Sequence, residues 1–173
     1  MLYAFDGFRP EISTGAYVSD TAVVIGHVKI GENSYIGHGA IIRGDYGSID
    51  IGPGTAVEEG AVIHAPPNEI SHIGERVTIG HGAIIHSSKI GDYAVIGMGA
   101  VLSIHSEIGT YTIIAEGGIV KMRQIIPDRI VAGGNPVKVL RDINENDIEF
   151  WNGGKQVYVD LAQRYLSGAM EKI

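Results

Sequence analysis

The chain has 173 residues, of which 45% are hydrophobic and 19% charged, so it can bury a core and is not intrinsically disordered. Its net charge of −7, without a Lys/Arg run, argues against nucleic-acid binding, and the lack of cysteine excludes disulfides and thiolate metal ligands. No apolar segment is long enough to span a bilayer, so we expect a cytoplasmic protein that does not enter a membrane.

A six-residue repeat runs through most of the chain. The heptapeptide IGHGAII occurs at residues 36–42 and again at 79–85, and stepping outward by six finds only Ile, Val or Leu. Eighteen positions share this register, through fourteen steps of six residues and three irregular steps of nine, ten and five. These positions are Ile12, Val18, Val24, Ile30, Ile36, Ile42, Ile51, Val57, Ile63, Ile73, Ile79, Ile85, Ile90, Ile96, Leu102, Ile108, Ile114 and Val120.

This pattern predicts an all-β solenoid, a parallel β-helix in which three hexapeptides form one triangular coil. Eighteen aliphatic positions then make about six coils, stacked ~4.8 Å apart. We name the faces that begin at Ile12, Val18 and Val24 the first, second and third face. Glycine follows many of the aliphatic residues, and we expect these glycines to permit positive φ at the corners.

Shorter segments flank the repeat within a single domain of residues 1–173. We expect a capping strand, the solenoid, an irregular capping turn and a C-terminal α-helical segment, over residues 1–11, 12–122, 123–143 and 144–173 respectively. In the last segment Gly153–Gly154 predicts a break in the helix, and Val157, Leu161 and Tyr165 repeat every four residues. This helix is expected to pack on the solenoid of its own chain or of a neighbour.

Two histidines fall on one column of the predicted solenoid. His64 follows Ile63 and His86 follows Ile85, so both take the second position of a third-face hexapeptide. They lie 22 residues apart, which is one coil of eighteen plus a four-residue excess in the loop at 65–72. Their side chains should stack on one corner, ~4.8 Å apart at the backbone, where two imidazoles can share one metal.

A third histidine, His81, leaves the coil at a different corner, because it takes the third position of a second-face hexapeptide. One coil below, the same two columns carry Arg43 under His64 and Glu59 under His81. Packing of identical solenoids about a threefold axis would bring the two columns together, with an Arg43–Glu59 ion pair beside a site shared by two chains. The alternative for Arg43 and Glu59 is a solvated pair that contributes little.

Three imidazoles with an open fourth position are the ligand set of a catalytic zinc site. Such a metal lowers the pKa of a bound water to about 7 and so prepares it to attack an electrophilic carbon. We therefore expect Zn²⁺ as the cofactor, with Fe²⁺ or Co²⁺ as alternatives that all-histidine ligation also suits. The loop residue His72 is a candidate for proton transfer beside this site.

These residues resemble the γ-class carbonic anhydrases and their relatives. The resemblance is carried by RGD at 43–45, His64, GHGAIIH at 80–86, and GGNPVKVLR at 133–141. It implies a left-handed β-helix, a homotrimer, and conversion of carbon dioxide to bicarbonate at a metal held by His64 and His86 of one chain and His81 of the next. It also implies that Arg43 and Asp45 organise the interface and that Tyr158 approaches the bound water.

The chain departs from the family pattern beside the expected metal. Where the family typically has Thr-Asn-Ile-Gln-Asp, this chain has TAVEE at 55–59, so Ala56 replaces an Asn and Glu58 a Gln that normally orients the metal water. Tyr46 stands where a better-known member carries a proton-shuttling carboxylate, and Glu69 is a candidate substitute. The resemblance therefore supports the site more firmly than the activity, and Glu58 is assigned a catalytic role there.

Two other functions remain open from the sequence. Hexapeptide repeats also occur in many acyltransferases, where a single histidine serves as the base, and His105 is the candidate for that role. The second alternative is a non-catalytic trimeric scaffold in which the metal only joins the subunits.

Overall fold

Within residues 1–171 and 173, which the computed structural model describes, twenty short β-strands precede one α-helix. The strands are β1 Leu2–Tyr3, β2 Glu11–Ile12, β3 Tyr17–Val18, β4 Val23–Ile30, β5 Tyr35–Ile36, β6 Ile41–Ile51, β7 Ala56–Val57, β8 Val62–His64, β9 Ile70–Ile73, β10 Thr78–Ile79, β11 Ile84–His86, β12 Lys89–Ile90, β13 Val95–Ile96, β14 Val101–Leu102, β15 Glu107–Ile108, β16 Ile113–Ile114, β17 Ile119–Val120, β18 Ile125–Ile126, β19 Ile130–Gly134 and β20 Val137–Asp142. The helix is α1 Glu145–Leu166.

The strands build the parallel β-solenoid that the repeat predicts. Strands β3, β5, β7, β10, β13, β16 and β19 pair in this order and form the second face. The first and third faces join into one twelve-stranded sheet, because β4 and β6 each continue around a corner, where their pairing shifts register between Gly26 and Val28. The repeating aliphatic residues point inward and form one buried core, whose side chains from Val24 to Ile126 are almost fully shielded from water.

The solenoid has seven coils, one more than the sequence predicts. Ile126 and Ala132 continue the first and second faces, pairing in parallel with Ile108 and Ile114. At the other end Leu2 pairs with Val24 and begins the third face. Part of segment 123–143 thus extends the solenoid instead of forming an irregular turn, and β20 then folds back antiparallel on β19. The last coil is not evident from the sequence because Ala132 stands at a repeat position where the other coils have Ile, Val or Leu.

The glycines after the aliphatic residues have a different role from the expected one. Gly80 does not adopt a positive φ, but a Cβ atom there would lie 2.8 Å from the backbone nitrogen of Met98 in the next coil. The positive φ of the corner occurs two residues later, at Gly82, with φ +67°. Gly80 is therefore required for the close stacking of coils, and Gly82 for the turn.

Helix α1 begins at a complete capping box. The Asn144 side chain accepts a hydrogen bond from the backbone N–H of Asp147, whose carboxylate accepts one from the Asn144 N–H. The helix continues unbroken through Gly153–Gly154, contrary to the sequence prediction. Each helical glycine costs only about 1 kcal/mol, which packing on the solenoid offsets. No helix of the described residues is long and apolar enough to cross a membrane.

The helix packs on the second face of its own chain. Tyr158, Leu161 and Tyr165 contact a cluster that contains Tyr17 and Tyr35. The ring of Tyr165 stacks on that of Tyr17, with the ring centroids 4.6 Å apart. Val157, which the four-residue pattern placed on the packing face, is instead exposed. The aromatic residues of this face, Tyr17 and Tyr35, are therefore covered without a second chain.

The outward-facing residues distinguish the three faces. On the first face they are charged or polar and exposed in six coils: Glu11, Lys29, Asp50, His72, Lys89 and Glu107. The exposed Ile125 of the last coil is the exception. On the second face helix α1 covers part of the row. On the third face the residues directly before the inward aliphatic positions from Val24 to Val120 are β-branched and only partly buried or exposed: Val23, Ile41, Val62, Ile84, Val101 and Ile119. A bare aliphatic stripe thus runs along the third face.

Candidate metal centre

The structure brings His64 and His86 together on one column. The two residues pair directly in the ladder of β8 and β11, and Arg43 pairs with His64 in the coil below. Their imidazole rings stack with the centroids 5.2 Å apart and the planes 16° from parallel. Burial, assisted by the charge of Arg43, lowers the pKa of His64 below its ordinary value, so this ring is neutral at neutral pH.

Arg43 and Asp45 surround the outer edge of His64. The Arg43 Nη2 atom lies 2.9 Å from His64 Nε2, and its Nε atom lies 3.4 Å from an Asp45 carboxylate oxygen. Asp45 is also 3.7 Å from His64 Nε2. A guanidinium can only donate hydrogen bonds, so His64 Nε2 must carry a lone pair that points out of the solenoid. This lone pair is what a metal ligand needs.

His81 lies on the other side of the third face, where two carboxylates hold its ring. Its Nε2 atom is 3.2 Å from Glu58 and its Nδ1 atom is 2.9 Å from Glu59. The backbone N–H of His81 also donates to Glu58, over 3.1 Å. Within residues 1–171 and 173, no three His, Cys, Asp or Glu side chains of one chain form a metal-binding group.

Glu58 is a buried carboxylate between the solenoid and helix α1. Burial raises its pKa above the usual range, and hydrogen bonds from Tyr158 and the nearby His81 oppose this rise. Burial and the negative charge of Glu58 in turn raise the pKa of Tyr158. The structure thus places Tyr158 beside Glu58.

Glu59 differs from Glu58 in the direction in which its pKa is shifted. Burial alone would raise its pKa, but the Tyr35 hydroxyl donates a 2.6 Å hydrogen bond and His81 lies close by, so the pKa falls below its ordinary value. Glu59 therefore stays ionised and keeps its negative charge at the corner where Arg43 of a neighbour is expected.

Sequence reasoning missed Lys155, which is 2% exposed and extends from α1 toward the same region. Its ammonium group lies 3.4 Å from the Thr78 hydroxyl and 5.5 Å from the centre of the Trp151 ring. Burial lowers the pKa of Lys155 to about 7, Arg76 adds to this effect, and Glu58 opposes it. The sequence did contain a signal for this burial: Lys155 lies about one helical turn before Tyr158, on the face of α1 that packs against the solenoid.

The two candidates for proton transfer, Glu69 and His72, lie in different parts of the solenoid. Glu69 and His105 form a pair, with 3.0 Å between the carboxylate and Nε2, at the corner that follows the His64–His86 column. His72 instead faces outward on the first face, 3.8 Å from Asp50 and away from that column. The side chain of Tyr46 is exposed.

An open apolar groove of about 840 Å³ runs along the third face beside the stacked histidines. Ile41, Val62, Ile84, Val101 and Met122 line it, together with Arg43, His64 and His86. The bare stripe and the histidine column are therefore parts of one surface.

The chain is similar to known proteins over most of its length. Two family models match, "Hexapeptide repeat of succinyl-transferase" over residues 27–65 and "Bacterial transferase hexapeptide (six repeats)" over residues 70–103. A solved structure of a hexapeptide transferase family protein from Anaplasma phagocytophilum is 30% identical, with a TM-score of 0.91, and the match covers 95% of this chain and 98% of that one.

Curated relatives bear the name carbonic anhydrase. A carbonic anhydrase of Geobacillus kaustophilus is 34% identical over 95% of this chain and 91% of its own length. The mitochondrial γ carbonic anhydrase 2 of Arabidopsis thaliana is 35% identical over 91% of this chain, which spans only 59% of that relative. With the hexapeptide register and the solenoid fold, these similarities show that the chain belongs to the γ-carbonic anhydrase-like family of hexapeptide-repeat proteins.

Proposed function

We propose that the chain forms a homotrimer and converts carbon dioxide to bicarbonate at sites between its subunits. The observation that carries this proposal is the position of two half-sites on either side of the bare third face. His64 and His86 lie at one corner of that face and His81 at the other. Burying the aliphatic stripe against neighbouring chains would stabilise the assembly and bring unlike half-sites together.

The donor atoms fit a divalent metal such as Zn²⁺, with Fe²⁺ or Co²⁺ as alternatives. His64 is neutral and directs an Nε2 lone pair outward, and His86 stacks beside it. His81 of the neighbour would supply the third imidazole. A bound metal supplies acidity to a water molecule, which makes that water nucleophilic at neutral pH.

The chain's own residues would perform the remaining tasks. Glu58, whose Oε2 atom lies 3.2 Å from His81 Nε2, would accept a proton from water and orient it, and the Tyr158 hydroxyl would hold the carboxylate. The apolar groove suits carbon dioxide, which is small and uncharged. Arg43 and Asp45 would hold the subunits in register.

Metal analysis of untagged protein, combined with aerobic and anaerobic stopped-flow hydration assays, tests this proposal. We expect one metal per chain and measurable hydration. His86→Ala should lose both, whereas the matched variant His38→Ala, two coils below His81 in its column, should keep both. Metal-free protein that still hydrates carbon dioxide would refute the proposal, and a loaded but inactive trimer would support the scaffold alternative.

A second candidate function, acyl transfer, is favoured by the Glu69–His105 pair. A carboxylate that orients a histidine is the arrangement of a general base, and the family models that match are named after transferases. Thermal-shift measurements with acyl-CoA would reveal binding. No thermal shift with acyl-CoA would contradict acyl transfer, and an acyl-transfer rate that His105→Ala leaves unchanged would exclude this residue as the base.

A further inference from the structure

In a single chain, charged groups of that chain already occupy the donor atoms of two of the three histidines of the proposed metal site, His64 and His81. Arg43 donates to the Nε2 lone pair of His64 across 2.9 Å. This contact uses the same lone pair that a metal would need, and it leaves a guanidinium cation at the place where a second cation would have to bind. His64 therefore cannot ligate a metal until Arg43 moves away.

His81 is held in a similar way. Both ring nitrogens lie within hydrogen-bonding distance of carboxylates of the same chain, Glu58 at 3.2 Å and Glu59 at 2.9 Å. The Glu59 side chain is 37% exposed, so it can also reach a positive group of a neighbouring chain. The two half-sites thus carry complementary charges that are paired internally in the lone chain.

We infer that Arg43 closes the metal site of a single chain and opens it only when a second copy docks. Docking would let Arg43 exchange His64 for Glu59 of the neighbour. The exchange replaces a single hydrogen bond to an imidazole by an Arg–carboxylate pair, which can form two parallel hydrogen bonds. This inference rests on the proposed interface site, and it adds that metal uptake follows assembly.

The second copy is the occupant that the surface fits. The aliphatic stripe of the third face separates Arg43 at one corner from Glu59 at the other, so a copy of the chain presents both the apolar row and the opposite charge. By linkage, a metal that binds only the assembled form also tightens the assembly.

The effect of Arg43 is best measured in a monomeric variant. In a monomer the histidine of the neighbouring chain is always absent, so a change in metal affinity reports on Arg43 alone. Ile84→Arg places a charge in the centre of the aliphatic stripe, and light scattering and circular dichroism would verify a folded monomer. Zinc-free protein is then titrated with Co²⁺, whose visible spectrum reports histidine ligation. We expect Ile84→Arg/Arg43→Leu to bind Co²⁺ at least ~10-fold more tightly than Ile84→Arg alone, through His64 and His86.

The matched control is Ile84→Arg/Arg9→Leu, which removes one exposed arginine elsewhere and should bind Co²⁺ no better than Ile84→Arg. Two-bond ¹H–¹⁵N spectra of the imidazoles add a readout that does not depend on metal. In Ile84→Arg we expect His64 as the Nδ1–H tautomer, with its Nε2 resonance displaced by Arg43→Leu.

Equal Co²⁺ affinities with and without Arg43, or a proton on His64 Nε2 in Ile84→Arg, would overturn the inference. Its failure is distinguishable from that of the proposed function. An assembled wild-type protein that binds metal but does not hydrate carbon dioxide contradicts only the function, and a fully active trimer without an Arg43 effect in the monomer contradicts only the inference.

Discussion

Replacing Lys155 by methionine should stabilise the folded chain at neutral and acidic pH. The side chain is 2% exposed, and burial lowers its pKa from 10.5 to about 7. Between these values the unfolded chain binds a proton that the folded chain does not, so the Lys155 contribution makes the free energy of unfolding rise with pH. At ~1.4 kcal/mol for each pH unit of this interval, the lysine costs at most about 5 kcal/mol below pH 7.

Methionine keeps the unbranched apolar stem and removes the charge. The lost contact with the Thr78 hydroxyl, 3.4 Å away, offsets only about 1 kcal/mol of the gain. The assay is urea denaturation of Ile84→Arg and Ile84→Arg/Lys155→Met between pH 6 and pH 10, since a monomer avoids concentration-dependent stability. The stability difference should be largest near pH 6 and shrink toward pH 10. A difference that does not change with pH would show that Lys155 is not buried as a neutral amine.

Three further predictions concern the site and the coils. His86→Ala should leave the circular dichroism spectrum unchanged but abolish metal binding, because its side chain points away from the core; an unfolded variant would contradict the register. Gly80→Ala should cost about 1–3 kcal/mol in urea denaturation, because its Cβ would lie 2.8 Å from the Met98 backbone nitrogen; unchanged stability would show that the coils can separate there. Glu58→Gln should shift the pH profile of hydration to lower pH at unchanged metal content, since it removes a negative charge beside the site; an unmoved profile would place Glu58 in another role.

The sequence predicts the solenoid and the histidine column because, in a six-residue repeat, the face and the coil of each residue can be counted from its number. Once Ile63 and Ile85 are assigned to one face, the pairing of His64 with His86 follows, and the structure has this pairing. The same counting places Arg43 in the coil below. Side chains that stay on the surface of such a rigid scaffold are positioned by backbone register alone.

The sequence does not reveal which partners the charged side chains contact or which of them are buried. No spacing rule indicates that Arg43 turns to His64, that His81 is held by both Glu58 and Glu59, or that Lys155 is buried near Glu58. These contacts depend on rotamers and on the packing of α1, which brings together residues far apart in the chain. The unbroken helix shows the same limit, because packing on the solenoid outweighs the local preference of Gly153–Gly154.

The outward residue of each hexapeptide decides how a face is used, since the inward residue is aliphatic on all three. Charged side chains such as Lys29 and Asp50 keep the first face in water, and Tyr17 and Tyr35 provide the surface on which α1 packs. The third face has neither charges nor a helix along its row. Because its two edges carry the two histidine half-sites, the chemistry proposed for this chain depends on a surface that a single chain cannot bury by itself.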